Sequence, residues 1–168
     1  MAKYAIGMDY GTLSARALLV EIGAGRELAM AVREYPHAVM DKRLPSGAPL
    51  AHDWALQHPR DYLDCLAAVV PAVLREAGVD ARDVVGVGVD FTASTLLPIT
   101  REGVPLCFLP EFSGNPHAYA KLWKHHATQA QADRITALAG ERGEGFLRRY
   151  GGKASSEWAL PKLLETLD

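Results

Sequence analysis

The sequence is poor in several things that would have fixed its class at once. It has two cysteines in 168 residues, Cys65 and Cys107. That is too few for a disulfide framework or a thiolate metal centre, and two buried, reduced thiols are expected instead. No apolar run approaches the ~20 residues of a membrane-spanning helix. Residues 1–10 hold no long apolar stretch and carry Asp9, which excludes a signal peptide. These absences imply a cytoplasmic protein. Charge of one sign is lacking too: 18 Lys+Arg against 20 Asp+Glu leave a net charge of -2, with no broad basic face for nucleic acid. There is no internal repeat and no low-complexity tract. What is present is an ordinary globular composition, 49% hydrophobic and 23% charged. At this length folding buries roughly 70% of the chain's surface, enough for a real core.

Local patterns predict an α/β fold. Residues 4–9, 16–22 and 27–35 read as strands joined by two tight turns, an antiparallel meander. Residues 36–59 form an irregular excursion rich in Pro, Gly and His. Residues 59–77 predict a helix, with Pro59 at its start, Gly78 past its end and Pro71 as a kink. Leu63, Leu66, Val70, Leu74 and Ala77 fall on one face of it. Residues 84–90 predict a strand with Val85, Val87 and Val89 on one side. Gly86, Gly88 and Asp90 lie on the other, where missing side chains would let a helix pack closely. Short strands are expected at 96–99 and 106–109, around the turn 101–103. Residues 118–138 look helical with a break near Ala127 or Thr128, and 157–167 form a last helix capped by Ser155 or Ser156.

Two segments carry chemistry. Asp9-Tyr10-Gly11-Thr12-Leu13-Ser14-Ala15-Arg16 puts an acid at a strand end, then a glycine turn with hydroxyls, then a second strand. Gly11 can take φ > 0 and let backbone approach a bulky anion, and successive turn amides can form an anion-binding concavity. Thr12 and Ser14 add hydroxyl donors and Arg16 a permanent charge. Asp9 would repel phosphate unless a cation such as Mg²⁺ bridged them. An ordinary β-hairpin with polar turn residues fits the same spacing. Residues 87–95, Val-Gly-Val-Asp-Phe-Thr-Ala-Ser-Thr, end a second strand with an acid and a polar loop. Asp90 and Asp9 could face one cleft, and ligands in open α/β sheets bind beyond the carboxyl ends of strands. Asp90 could equally hold its own loop by bonds to backbone amides. Thr92, Ser94 and Thr95 suit recognition of sugar hydroxyls. His117, His125 and His126 invite a metal reading, but adjacent helix positions diverge, which favours structural or sugar-contacting roles. Gly151-Gly152-Lys153 lacks P-loop spacing and reads as a turn. Lys162 reads as a solvated helix lysine, and Glu157 as a first-turn acid favoured by the helix dipole.

The hairpin resembles the first phosphate motif of the actin-like ATPase superfamily, and its order Asp-x-Gly-Thr-x-Ser-x-Arg is similar to that of the FGGY carbohydrate kinases. Five blocks, residues 55–59, 88–95, 115–117, 122–127 and 149–158, resemble the bacterial ribulokinase branch of that family. The resemblance runs from the first strand to the last residue. It implies an actin-like (ribonuclease H-like) α/β domain, a mixed sheet with antiparallel first strands and flanking helices. It also implies MgATP-dependent transfer of the γ-phosphoryl group to L-ribulose, giving L-ribulose 5-phosphate in L-arabinose catabolism. Such transfer rests on positioning and charge stabilisation. Carried over by position, Asp9 would hold Mg²⁺ through water, and Gly11, Thr12 and Ser14 would approach the phosphates of ATP. Arg16 would contact phosphate or brace the hairpin. Asp90, Thr92, Ala93, Ser94, Trp123 and Lys124 would line the sugar site. The chain has Trp-Lys-His-His at 123–126 where many FGGY kinases carry Trp-x-Asp-x-Arg, which changes the sugar hydroxyls bound. The family's catalytic aspartate lies downstream, so no catalytic residue is expected in residues 1–168. These are expected to form the N-terminal part of the first of two domains and to be inactive alone. The implied partners are L-ribulose and MgATP, with neither nucleic acid nor membrane, and a homodimer is compatible with the full-length protein. Competing readings are an FGGY kinase for another ketose or a polyol, such as xylulose, and a free-standing actin-like binding module.

Overall fold

A computed structural model describes residues 2–168. In chain order the elements are β1 (Tyr4–Tyr10), β2 (Ser14–Glu21), β3 (Arg26–Glu34), β4 (Leu56–Gln57), α1 (Pro59–Ala77), β5 (Val84–Phe91), β6 (Ala120–Lys121), α2 (Gln129–Glu141) and α3 (Ala159–Leu167). The chain divides into two units. One holds the chain up to Ala38 together with His58–Thr92; the other holds Val39–Gln57 and Ala93–Asp168.

The first unit is a four-stranded mixed sheet in the order β3-β2-β1-β5. The expected meander is present: β2 pairs antiparallel with both β1 and β3. β5 adds to the far side of β1 in parallel. Alternation sends Ile6, Met8, Ala15, Ala17 and Leu19 to one face, where all are buried. α1 packs on β2 and β3. It starts at Pro59 behind an N-cap His58, whose Nδ1 accepts from the Arg60 N–H at 3.1 Å. It ends at Gly78, left-handed at φ 63, whose N–H donates to the Arg75 carbonyl. The helix continues unbroken through Pro71. Its buried face is Tyr62, Cys65, Val69 and Val73. The expected stripe is displaced: Leu63 and Leu66 are exposed. α1 is apolar around much of its circumference, so periodicity alone could not choose which side meets the sheet.

β5 also departs from expectation. It is an edge strand, and Val85, Val87 and Val89 are each at least 58% exposed. Among the described residues no helix packs on its glycines: a Cβ built on Gly86 or Gly88 would meet nothing within 4 Å.

The second unit is built from short pieces. β4 and β6 form a two-stranded antiparallel sheet. Met40, Leu44, Leu56, Cys107, Ala118 and Tyr119 form its core cluster. Residues 96–99 make only isolated bridges, Leu96 to Lys121 and Ile99 to Pro105, around the expected turn, where Gly103 sits at φ 83. Residues 106–109 are not a strand. Leu106–Phe108 is a 3-10 turn between Pro105 and Pro110, which cannot donate to a ladder. The long helix expected at 118–138 is halved: β6 occupies its start, and α2 begins only at Gln129, just past the expected break. The last helix begins at Ala159, so Glu157 precedes it. Ser155 accepts from the Glu157 N–H at 3.2 Å, forming a turn rather than the helix cap. Gly151 and Gly152, at φ 74 and 86, make the expected turn. Both cysteines are free and buried, as expected. Among the described residues no helix is long and apolar enough to cross a membrane.

Candidate functional site

The β1–β2 hairpin and the end of β5 form one site in the first unit. Register places Asp9 opposite Arg16 across the antiparallel pair and opposite Asp90 across the parallel one. Asp9 and Asp90 thus share the open face of the sheet, as the sequence suggested. Both line a depression of about 440 Å³ together with Gly7, Gly88 and Arg16. The Arg16 Nε lies 3.1 Å from Asp9 Oδ2, with both side chains about half exposed. Arg16 is therefore a brace in this conformation, in a pair worth at most about 1 kcal/mol. Two adjacent carboxylates against one guanidinium leave a net negative charge, which fits a hydrated cation.

Gly11 is needed for a different reason than expected. Its φ is not positive. Its N–H closes the turn onto the Ser14 carbonyl at 2.9 Å. A Cβ there would lie 3.2 Å from that carbonyl oxygen. The glycine serves close approach, and its amide is engaged in closing the turn.

β5 ends at Phe91, and Thr92 closes the first unit. Ala93 and Ser94 belong to the second, where Ser94 is left-handed at φ 54. Two residues on, Leu96 pairs with Lys121: the Lys121 N–H donates to the Leu96 carbonyl at 2.8 Å. That bridge ties the 93–95 loop to β6, and Trp123, 40% exposed, lies two residues past the end of β6. Lys124 lines a depression of about 420 Å³ with Lys42, Asp53, Trp54 and His126.

Lys162, read from the sequence as solvated, is fully buried at 0% exposure. Its Nζ donates to the carbonyls of Leu122 (2.7 Å), Ser94 (2.9 Å) and Trp123 (3.4 Å). Burial pulls its ammonium down to about 8. Lys121, also buried, answers in the other direction. Its Nζ meets Glu165 Oε2 at 2.5 Å, Thr166 Oγ1 at 2.7 Å and the Lys162 carbonyl at 3.3 Å. Burial lowers Lys121 as well, while Glu165 acts against that shift. Burial alone would raise the Glu165 carboxyl, but hydrogen bonds from His125 and Lys121 hold it below its usual range. Periodicity could not reveal these lysines as buried; the only sequence signal was an apolar residue on each side of both.

His117, His125 and His126 each have a hydrogen-bond partner. His125 is buried: Nδ1 accepts from the Ala55 N–H at 3.2 Å, so Nε2 carries the proton facing Glu165 at 3.0 Å. His117 Nδ1 lies 3.1 Å from Lys121 Nζ, and His126 Nδ1 3.3 Å from Ser156 Oγ. Among the described residues one group gathers as a cation site would: His37, His58 and Asp61, with ligand atoms within 4.8 Å. Asp61 already binds His37 through both oxygens, at 3.0 Å to its N–H and 2.7 Å to Nδ1. The two imidazoles stack at 4.4 Å and 18°. Near-parallel rings aim their in-plane lone pairs side by side, not at one point. The cluster clasps the start of α1.

Over 167 residues, 99% of its length, the chain is 55% identical to the ribulokinase of Halalkalibacterium halodurans. Along that whole stretch it is similar to ribulokinases. It is also 55% identical to the ribulokinase of Anoxybacillus flavithermus and 53% to that of Mycolicibacterium smegmatis, again over 99% of its length. The chain spans about 30% of the length of these ribulokinases. No family model matches it. Among solved structures it resembles a xylulose kinase from Brucella ovis, with a TM-score of 0.71 at 18% identity over 95% of this chain and 28% of that one. A xylulose kinase from Bifidobacterium adolescentis gives 0.62 at 15% identity over 96% of this chain and 28% of that one. These likenesses show the fold, that of sugar kinases of the actin-like ATPase type.

Proposed function

We propose that the chain is part of an ATP-dependent kinase that phosphorylates L-ribulose to L-ribulose 5-phosphate in the cytoplasm. The observation that carries this reading is identity above half to ribulokinases along 99% of the chain. Residues 1–168 then correspond to the N-terminal part of the first of two domains. Asp9 is positioned to hold Mg²⁺ through water, with Asp90 beside it adding negative charge on the same open face. The metal supplies charge neutralisation for the transferring phosphoryl group. Thr12 and Ser14 offer hydroxyl donors to phosphate, and Gly11 keeps the turn small enough to reach it. Arg16 braces Asp9 and can be released toward phosphate. Asp90, Thr92, Ala93, Ser94, Trp123 and Lys124 are assigned to the sugar.

Calorimetric titration of the 168-residue polypeptide tests this reading. L-ribulose is expected to bind more tightly than D-xylulose, glycerol or MgATP, with no phosphoryl transfer by this polypeptide alone. Tight ATP binding without sugar binding would reverse the assignment of the loops.

A further inference from the structure

We infer that Lys162 is a positioning residue of the sugar-facing wall: its buried ammonium holds the Ser94 loop and the Leu122–Trp123 segment in one fixed relation. This rests on the assignment of Ser94 and Trp123 to the sugar made above.

A side chain chosen only to fill space on α3 would be apolar, since desolvating an ammonium costs several kcal/mol unless every donor is matched. Here the match is complete. Three N–H donors meet three backbone carbonyls, those of Leu122, Ser94 and Trp123, and no carboxylate bonds the ammonium directly. The carbonyls come from two stretches of chain that the Leu96–Lys121 bridge joins. On either side of that bridge the ladder stops, because Ser94 turns left-handed and the chain leaves β6 after Lys121. Lys162 adds side-chain donors where the ladder ends; the Leu122 carbonyl it binds also accepts from the His125 N–H at 3.0 Å, so the ammonium joins a turn already closed there. It also offsets the cost of a non-glycine residue at φ 54, since the carbonyl Ser94 presents there is one the ammonium binds.

The helix carrying Lys162 is itself fixed. Lys121 reaches back to Thr166, Glu165 and the Lys162 carbonyl. Each lysine thus anchors on the other's segment. Ser94 and Trp123, whose carbonyls this lock holds, are residues assigned to the sugar, and their spacing sets which hydroxyls are met.

The test is K162M, which keeps length and volume but removes the donors. Amide hydrogen exchange and L-ribulose titration are compared with the unsubstituted chain. Exchange at Ser94, Thr95, Trp123 and Lys124 is expected to accelerate about tenfold or more, and L-ribulose affinity to fall about tenfold. Leu19 and Val69 should keep their protection. Unchanged exchange at the four amides overturns the inference, and so does acceleration spread equally to Leu19 and Val69, which would mark a general stabiliser. Local acceleration in a chain that binds no L-ribulose upholds the lock and overturns the sugar assignment. If K162M does not fold, the unsubstituted chain labelled with ¹⁵N-lysine decides. The inference expects a slowly exchanging Lys162 ammonium signal coupled through hydrogen bonds to the Ser94 and Leu122 carbonyls, shifting when L-ribulose is added. Absence of that coupling overturns it.

Discussion

Asp9 sits in a cross-strand pair with Arg16 and beside Asp90, and each neighbour acts on a different function. D9N removes the carboxylate charge but keeps the side chain's shape. If the proposed function holds, D9N should abolish Mg²⁺-dependent nucleotide binding in the full-length protein while shifting the unfolding free energy by less than about 1 kcal/mol. Calorimetry with and without Mg²⁺, beside a thermal melt, checks both. Gly11 makes the opposite case. G11A places a Cβ against the Ser14 carbonyl, so the turn must shift by a few tenths of an ångström. A loss of about 1 kcal/mol in denaturant unfolding is expected. Lys162 yields a signed pH dependence. Burial draws its pKa down to about 8 from the ordinary 10.5, with Glu157 and Glu165 opposing and Lys121 adding to the shift. Between those values the unfolded chain binds more protons at this site than the folded one. Stability from this residue therefore rises with pH across that window. The difference in unfolding free energy between the unsubstituted chain and K162M should climb from about pH 8 toward 10.5. A falling difference would mean that the fold favours the ammonium instead.

α1 shows what an element owes to its own sequence and what to its neighbours. Its ends are local: Pro59 fixes φ at the first turn, and Gly78 takes the left-handed position that closes the last. Its orientation is not local. The sheet presents Ala15 and Ala17, fully buried, and the helix side bearing Cys65, Val69 and Val73 settles there. V69A should therefore cost about 2 kcal/mol, and L63A, on the face first expected to be buried, less than about 0.5 kcal/mol. Equal losses in urea melts would restore the original face. β6 carries the same lesson further. Residues 118–128 have helical composition, but Leu56 and Gln57 offer a strand to pair with, and two residues of ladder at Ala120 and Lys121 prevail.

At the scale of the whole chain, two units are each interrupted by the other's sequence: 39–57 leaves the first unit and joins the second. Local patterns report on neighbours a few residues away, which is why the meander, α1 and the turn at Gly103 were legible. Asp9 and Asp90 could be placed together because each ends a strand with a small-residue face. The bond from Lys162 to Ser94 spans 68 residues, and no local pattern carries such a pairing. If the proposed function holds, the encoding reading frame continues past Asp168 and contains a downstream aspartate in a glycine-rich segment; sequencing that frame checks it.

The sequence by itself determined the hairpin that puts Asp9, Thr12 and Ser14 at a strand end, the limits of α1 and the kinship to ribulokinases. Turn chemistry and residue identity are properties of short segments. Only the tertiary structure decided which face of α1 is buried, what a side chain at Gly11 would meet, and that Lys121 and Lys162 are internal. Each depends on what arrives from a distant part of the chain: a sheet face, a carbonyl, a set of matched hydrogen-bond partners.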